Sequence, residues 1–230
     1  MIQLVIGLNT EGPTDVRFLT DIIKRTFDEI AFECPKDIEI LDIQYIAVKK
    51  DGFVPMIMEA SKKGVEDFGI SILCVHRDAD DKKVDDVMAY SFRPLLENLE
   101  DKDEAVYCKI IIPVIPVRMM EAWMLADTQL LKDFIDASKM PDHDLGIERD
   151  PESYADPKAV IEEAIRKASA GKTKRKREIV GIAELYEQIG KNVRLESLRR
   201  LLHSVGLKNR FVWHFAVCII CINLFGLKRR

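Results

Sequence analysis

The sequence predicts an α/β protein: a mostly parallel four-stranded sheet flanked by helices, with a C-terminal helical extension. Two observations carry this expectation. Through the first two-thirds of the chain, short apolar β-type runs alternate with longer amphipathic stretches, the pattern of strands joined by covering helices. After residue 137 the composition shifts, first to an Asp-, Pro- and Gly-rich stretch and then to helical periodicity without further strands.

Residues 4–8 read as the first strand, and residues 14–30 as a helix whose Phe18, Leu19, Ile22, Ile23 and Phe27 recur at helical spacing. Residues 38–48 alternate as a second strand, 54–68 read as a helix, and 70–75 as a third strand. A helix over 84–99 ends in a charged turn, and 106–115, with Pro113 and Pro116 at its end, is the fourth strand. Residues 119–137 then read as one long helix. Residues 138–157 read as a loop or linker, 157–170 as a helix opened by proline at its first turn, and 182–189 and 195–202 as further helices. The expected organisation is an α/β core over 1–137, a linker and helical extension over 138–205, and an apolar tail over 206–230, without internal repeats.

The chain has 230 residues, 47% apolar and 32% charged, which excludes collagen-like, wholly disordered and multi-span membrane proteins. A net charge of −4 argues against a surface that grips nucleic acid all over, while leaving room for a local basic patch. Five cysteines, an odd number, and an N-terminus without a basic flank or cleavage site place the expected location in the cytoplasm. Cys34, Cys74 and Cys108 read as inert thiols.

Three acidic features follow strands, where an open parallel sheet gathers its ligands. The first is Glu11-Gly12-Pro13-Thr14-Asp15, in which Gly12 is expected to supply an unusual backbone angle and Pro13 to start the next helix. Asp15 reads equally as a helix-terminal carboxylate beside a Thr14 cap. The second is His76-Arg77-Asp78-Ala79-Asp80-Asp81; alternate carboxylates leaving one strand can converge on a hard divalent cation, and a solvated acidic loop is the alternative. The third runs from Arg118 to Asp127, with Glu121 near the start of its helix. Trp123 and Asp127 read as structural, and so does His76, with phosphate contact as its alternative.

The strand followed by EGPTD, the strand followed by DAD, and the later IPVRMMEAWMLAD together resemble the Toprim superfamily, the topoisomerase and primase domain. More narrowly, they are similar to a small bacterial family of unknown function related to the overcoming-lysogenisation-defect (OLD) nucleases, over residues 1–135. The resemblance implies a Toprim/Rossmann-like sheet and a Mg²⁺ or Mn²⁺ site made by Glu11, Asp78 and Asp80, with Asp15 and Glu121 holding a second metal. It also implies a catalytic set of Glu11, Asp78 and Asp80, with Glu11 as general base or acid for phosphodiester cleavage. Two metals would stabilise both the attacking and the leaving oxygen. No tyrosine nucleophile accompanies a DNA-gating domain, which disfavours a topoisomerase. Anti-phage defence with an ATPase partner is part of the same expectation; the chain has no GxxxxGK[ST] loop, so an ATP-driven step needs that partner. A homodimer is a further expectation of partnership.

Lys172, Lys174, Arg175, Lys176 and Arg177 form a basic run suited to phosphate contacts, as does Lys158 alone, with DNA favoured over RNA; a solvated loop is the alternative for the run. Residues 211–227, FVWHFAVCIICINLFGL, are almost wholly apolar. A frameshift after about residue 202, a membrane- or partner-binding tail and a buried helix all account for them, with membrane contact disfavoured. The leading expectation is a metal-dependent nuclease; the alternatives are a non-catalytic nucleic-acid-binding or regulatory module and a nucleotidyl or phosphoryl transferase.

Overall fold

A computed structural model describes residues 1–49, 51–80, 83–170 and 181–204. The basic run at 172–177, Asp81 and the apolar tail from residue 205 lie outside the described residues.

The strands are β1 (Ile2–Leu4), β2 (Ile6–Asn9), β3 (Ile38–Ile40), β4 (Gln44–Tyr45), β5 (Ile72–His76) and β6 (Ile111–Val114). Among the described residues, β4, β2, β5 and β6 form a four-stranded sheet in that order, and β1 pairs with β3 beside it; every pairing is parallel. The helices are α1 (Pro13–Glu33), α2 (Phe53–Phe68), α3 (Val84–Val87), α4 (Arg93–Glu100), α5 (Glu121–Met124), α6 (Thr128–Phe134), α7 (Asp142–Leu145), α8 (Pro157–Ala170), α9 (Ile182–Asn192) and α10 (Leu195–Ser204). The chain has a Rossmann-like α/β fold with C-terminal helices.

Strand alternation divides the core between the two faces of the sheet. Ile6, Leu8, Ile72 and Cys74 point into a cluster with Phe18, Leu19, Ile22 and Ile23 of α1. Leu73 and Val75 point the other way, toward Ile57 and Ala60 of α2 and Phe92 and Leu95 of the α3–α4 segment. Gly7 faces that second side, where an added Cβ would lie 2.9 Å from Ile70 Cδ1 and 3.0 Å from Leu73 Cδ1, so a larger residue would push these side-chain tips aside. The helices beyond residue 138 join the first cluster through Leu145, Tyr154, Ile161, Ala164, Leu185, Ile189 and Leu198.

Several expected elements differ in extent. The first two strands are each broken, because the Val5 carbonyl turns to accept from Ser71 N–H (2.9 Å) while Leu4 O still accepts from Leu41 N–H (3.0 Å). The chain changes partner at that point. The fourth strand is only four residues long: Asp103 draws the preceding residues into a turn, accepting from Ala105 N–H through its side chain and from Val106 and Tyr107 N–H through its carbonyl. The long helix over 119–137 is two short ones, since Asp127 leaves helical geometry (φ −122°, ψ 80°) and caps α6 by accepting from Leu130 N–H. The 138–157 stretch is packed rather than a loose linker. Tyr154 is buried, donates to Gly146 O (3.1 Å) and accepts from Arg149 N–H (2.9 Å). The helix over 84–99 runs to Glu100 through a π-helical turn at Met88–Phe92, where Arg93 N–H reaches back to Met88 O; the wide turn accommodates Pro94, which has no N–H to donate. No helix among the described residues is long and apolar enough to cross a membrane.

Glu152, in the short 3₁₀ turn Pro151–Ser153, carries one buried carboxylate oxygen with no hydrogen-bond partner among the described residues. Burial, reinforced by Asp150, pushes its pKa up to about 7. A carboxyl raised in the fold favours the folded state below its unfolded value of 4.5, and that contribution is lost as the pH rises through about 7. Glu152→Gln is therefore expected to match the wild type in thermal midpoint near pH 4 and to exceed it at pH 8. Equal midpoints at both pH values would refute the assignment.

Candidate functional site

From β2 the chain passes through α1 to β4 on one side, and from β4 through α2 to β5 on the other. The loops leaving β2 and β5 therefore diverge at the carboxyl edge of the sheet, the place where open α/β sheets leave a ligand crevice. Glu11 leaves one of these strands, and Asp78 and Asp80 leave the other.

The first loop is fixed by its own polar groups. Asn9 donates to Ile46 O (2.8 Å) and Thr10 Oγ1 to Gly12 O (2.8 Å). Gly12 takes ordinary extended geometry (φ −149°, ψ 166°), so the expected unusual backbone angle is absent. Pro13 opens α1 as expected, and the Asp15 carboxylate turns back to accept from Gly12 N–H at 2.8 Å. Asp15 is thus a helix cap, and the same carboxylate also faces the crevice.

The second loop is stapled to the segment leaving β6. Arg77 N–H donates to Val114 O (3.1 Å), Ala79 N–H to Pro116 O (3.1 Å) and Asp80 N–H to Arg118 O (2.7 Å). Asp80 and Arg118 both have positive φ, 53° and 64°, a conformation aspartate tolerates better than arginine and one often held at working sites.

His76 sits between the two loops. It ends β5 with the parity of Cys74, so its ring enters the α1 side of the sheet, where the residue is 2% exposed. Its Nδ1 lies 3.5 Å from Asp15 Oδ2 and its Nε2 3.2 Å from Asp78 Oδ1. Burial opposes its charge, yet the two carboxylates outweigh burial and raise its pKa to about 9, so the ring is an imidazolium at neutral pH. Asp15 responds in the opposite sense: burial pushes it up, and His76, Gly12 N–H and Thr14 bring it below its usual value. Glu11 is raised, first by burial and next by the negative charge of Asp78, with Asp80 adding to this and His76 and Arg77 opposing it. The four side chains after the strands therefore act on Glu11 together.

Glu121 opens α5 and accepts a 2.5 Å hydrogen bond from Tyr186 Oη of α9. Burial raises the Tyr186 pKa, followed by Glu121 and then by the charge of Asp15. Asp127 pairs instead with Arg194 (2.7 Å and 3.1 Å), and Trp123 is buried; both are structural, as expected. Lys158 is an exposed residue of α8, outside the loops that gather the carboxylates.

Sequence reasoning read His76 as structural, without its two carboxylate neighbours, and missed Tyr186. For His76, the strand parity continued from Cys74 was a usable signal. Tyr186 had none, since a tyrosine on an amphipathic helix reads as core.

Among the described residues no three His, Cys, Asp or Glu side chains form a ready metal cage. The donor chemistry nonetheless suits Mg²⁺ or Mn²⁺: hard carboxylate oxygens, with Asp78 and Asp80 adding to what burial does at Glu11, and few in number, as Mg²⁺ tolerates because it keeps several waters. Glu11, Asp78 and Asp80 are the residues that would hold it. Comparison with curated proteins and with solved structures found no match. The model of a domain of unknown function, DUF4276, matches residues 10–202, most of the chain, and the protein belongs to that family.

Proposed function

We propose that this protein is a metal-dependent phosphodiesterase acting on nucleic acid, a nuclease of the Toprim type, working in the cytoplasm. The observation that carries the reading is the placement of Glu11, Asp78 and Asp80 on the two loops that diverge at the switch point of the sheet, where the charges of Asp78 and Asp80 act on Glu11. Bound Mg²⁺ or Mn²⁺ would neutralise phosphate charge and make water a better nucleophile. Glu11, whose pKa is raised above the usual carboxylate value, accepts the proton of the attacking water. His76 faces Asp15 and Asp78 with its two ring nitrogens, a charge contact to each, and the Tyr186 hydroxyl donates to Glu121. The likeness of the EGPTD and DAD segments to Toprim proteins supports the same reading and extends it to anti-phage defence with an ATPase partner.

The test is incubation with supercoiled plasmid, linear duplex, single-stranded DNA and RNA in Mg²⁺, Mn²⁺ or EDTA. Cleavage is expected with metal, is lost in EDTA, and falls by a factor of at least about 100 in the Asp78→Ala/Asp80→Ala variant while its thermal midpoint stays within a few degrees. Cleavage that persists in that variant would overturn the site. Nucleotide turnover without strand cleavage would convert the assignment to a nucleotidyl or phosphoryl transferase.

A further inference from the structure

Arg77 stands between His76 and Asp78, and beyond its charge acting on Glu11 it has no role above. Its backbone is fixed by the N–H bond to Val114 O, so the side chain starts from a rigid point at the crevice. Its guanidinium carbon lies 4.7 Å from the centroid of the Phe53 ring. Phe53 is itself braced edge-to-face by the fully buried Phe92, with centroids 5.0 Å apart and planes at 70°. A guanidinium seated over an aromatic face is attracted to it and keeps N–H groups that can donate outward. Arg77 directly precedes Asp78 on the loop leaving β5, so it stands at the same edge of the sheet. A preoriented, planar, permanently charged fork beside metal-holding carboxylates has the geometry that suits phosphate oxygens.

Resting on the phosphodiesterase reading, we propose that Arg77, seated over Phe53, binds a non-bridging oxygen of the nucleic-acid phosphodiester at this site. The residue sets substrate affinity, and Phe53 is its positioning partner. Lysine at position 77 keeps the charge but loses the fork, and leucine at position 53 keeps the bulk but loses the platform.

The experiment uses the full chain and a fluorescein-labelled DNA oligonucleotide, single-stranded and duplex. Binding is followed by anisotropy in EDTA across a salt series, and cleavage kinetics are followed in Mg²⁺. Arg77→Ala is expected to weaken binding about tenfold and to reduce the slope of log affinity against log salt by about one. KM rises more than kcat falls, while the Mg²⁺ concentration for half-maximal activity and the thermal midpoint are unchanged. Arg77→Lys restores the salt slope but only part of the affinity, and Phe53→Leu weakens binding with the slope intact. Unchanged affinity and slope in Arg77→Ala would overturn the proposal. So would a shift confined to the Mg²⁺ requirement, which would mean that Arg77 serves only to balance Glu11. If the wild type binds the oligonucleotide without cutting it, the nuclease reading fails and the binding arm still decides the role of Arg77; if it binds neither strand form, the Arg77 proposal fails as well.

Discussion

Gly190→Ala is expected to lower the midpoint of thermal unfolding by about 5–10 °C, equivalent to about 2–3 kcal/mol for a chain of this size. The helix α9 crosses α1 with Gly190 against the backbone of Phe18: an added Cβ would lie 2.4 Å from the Phe18 carbonyl oxygen and 3.0 Å from its Cα. Backbone cannot rotate away as a side-chain tip can, so one of the two helices must move. Arg25 resists that movement, because it donates to Gly190 O (3.3 Å), Lys191 O (3.0 Å) and Val193 O (2.7 Å), clamping the end of α9 to α1. Tyr186 lies one turn earlier on α9, so the displaced helix also withdraws the hydroxyl from Glu121 and lowers activity. Gln188→Ala, at an exposed position of the same helix, is the control and stays within about 0.5 kcal/mol of the wild type. A Gly190→Ala protein as stable as the wild type would show that the helices do not meet at this point.

His76→Ala is expected to weaken Mg²⁺ dependence or activity by roughly 10–100-fold, the cost typical of losing a group that orients metal-holding carboxylates. The ring spans the gap between α1 and the loop after β5, with a nitrogen 3.5 Å from Asp15 and the other 3.2 Å from Asp78. Without it the two carboxylates lose the buried cation between them and relax apart. His76→Gln retains polar contacts without the charge and is expected to fall between the alanine variant and the wild type. The measurement is a Mg²⁺ titration of both cleavage and thermal midpoint. Identical titrations for all three proteins would show that Asp15 and Asp78 hold their places without the imidazole.

Local signals accounted for what the sequence made legible. The apolar spacing of Phe18, Leu19, Ile22, Ile23 and Phe27 placed α1, and the Pro157 opening placed α8. The carboxylates were found because they follow strands directly, and parallel topology brings such exits to one edge. What escaped depends on distant partners. Residues 119–137 favour helix throughout, and the break at Asp127 becomes intelligible only with Arg194, 67 residues later, bound to its carboxylate. Trp123 and Ala122 are buried on both sides of that short helix, so periodicity alone could not mark its end. Glu121 looked like a free acid at a helix start, and its tyrosine partner is 65 residues away. Gly12 was credited with freedom that its extended backbone does not use; the work there is done by Asp15.

The clamp of Arg25 on the end of α9 joins residues 165 positions apart, which imposes an order on synthesis. When α1 leaves the ribosome, the helix that covers its outer face has not been translated, and that face stays bare until nearly the whole chain has emerged. Glu11, Asp78 and Asp80 are all made early, but the hydroxyl that steadies Glu121 arrives among the last helices. A chain terminated between α8 and α9 would carry the full set of acids with the α1 face that α9 covers left open to solvent.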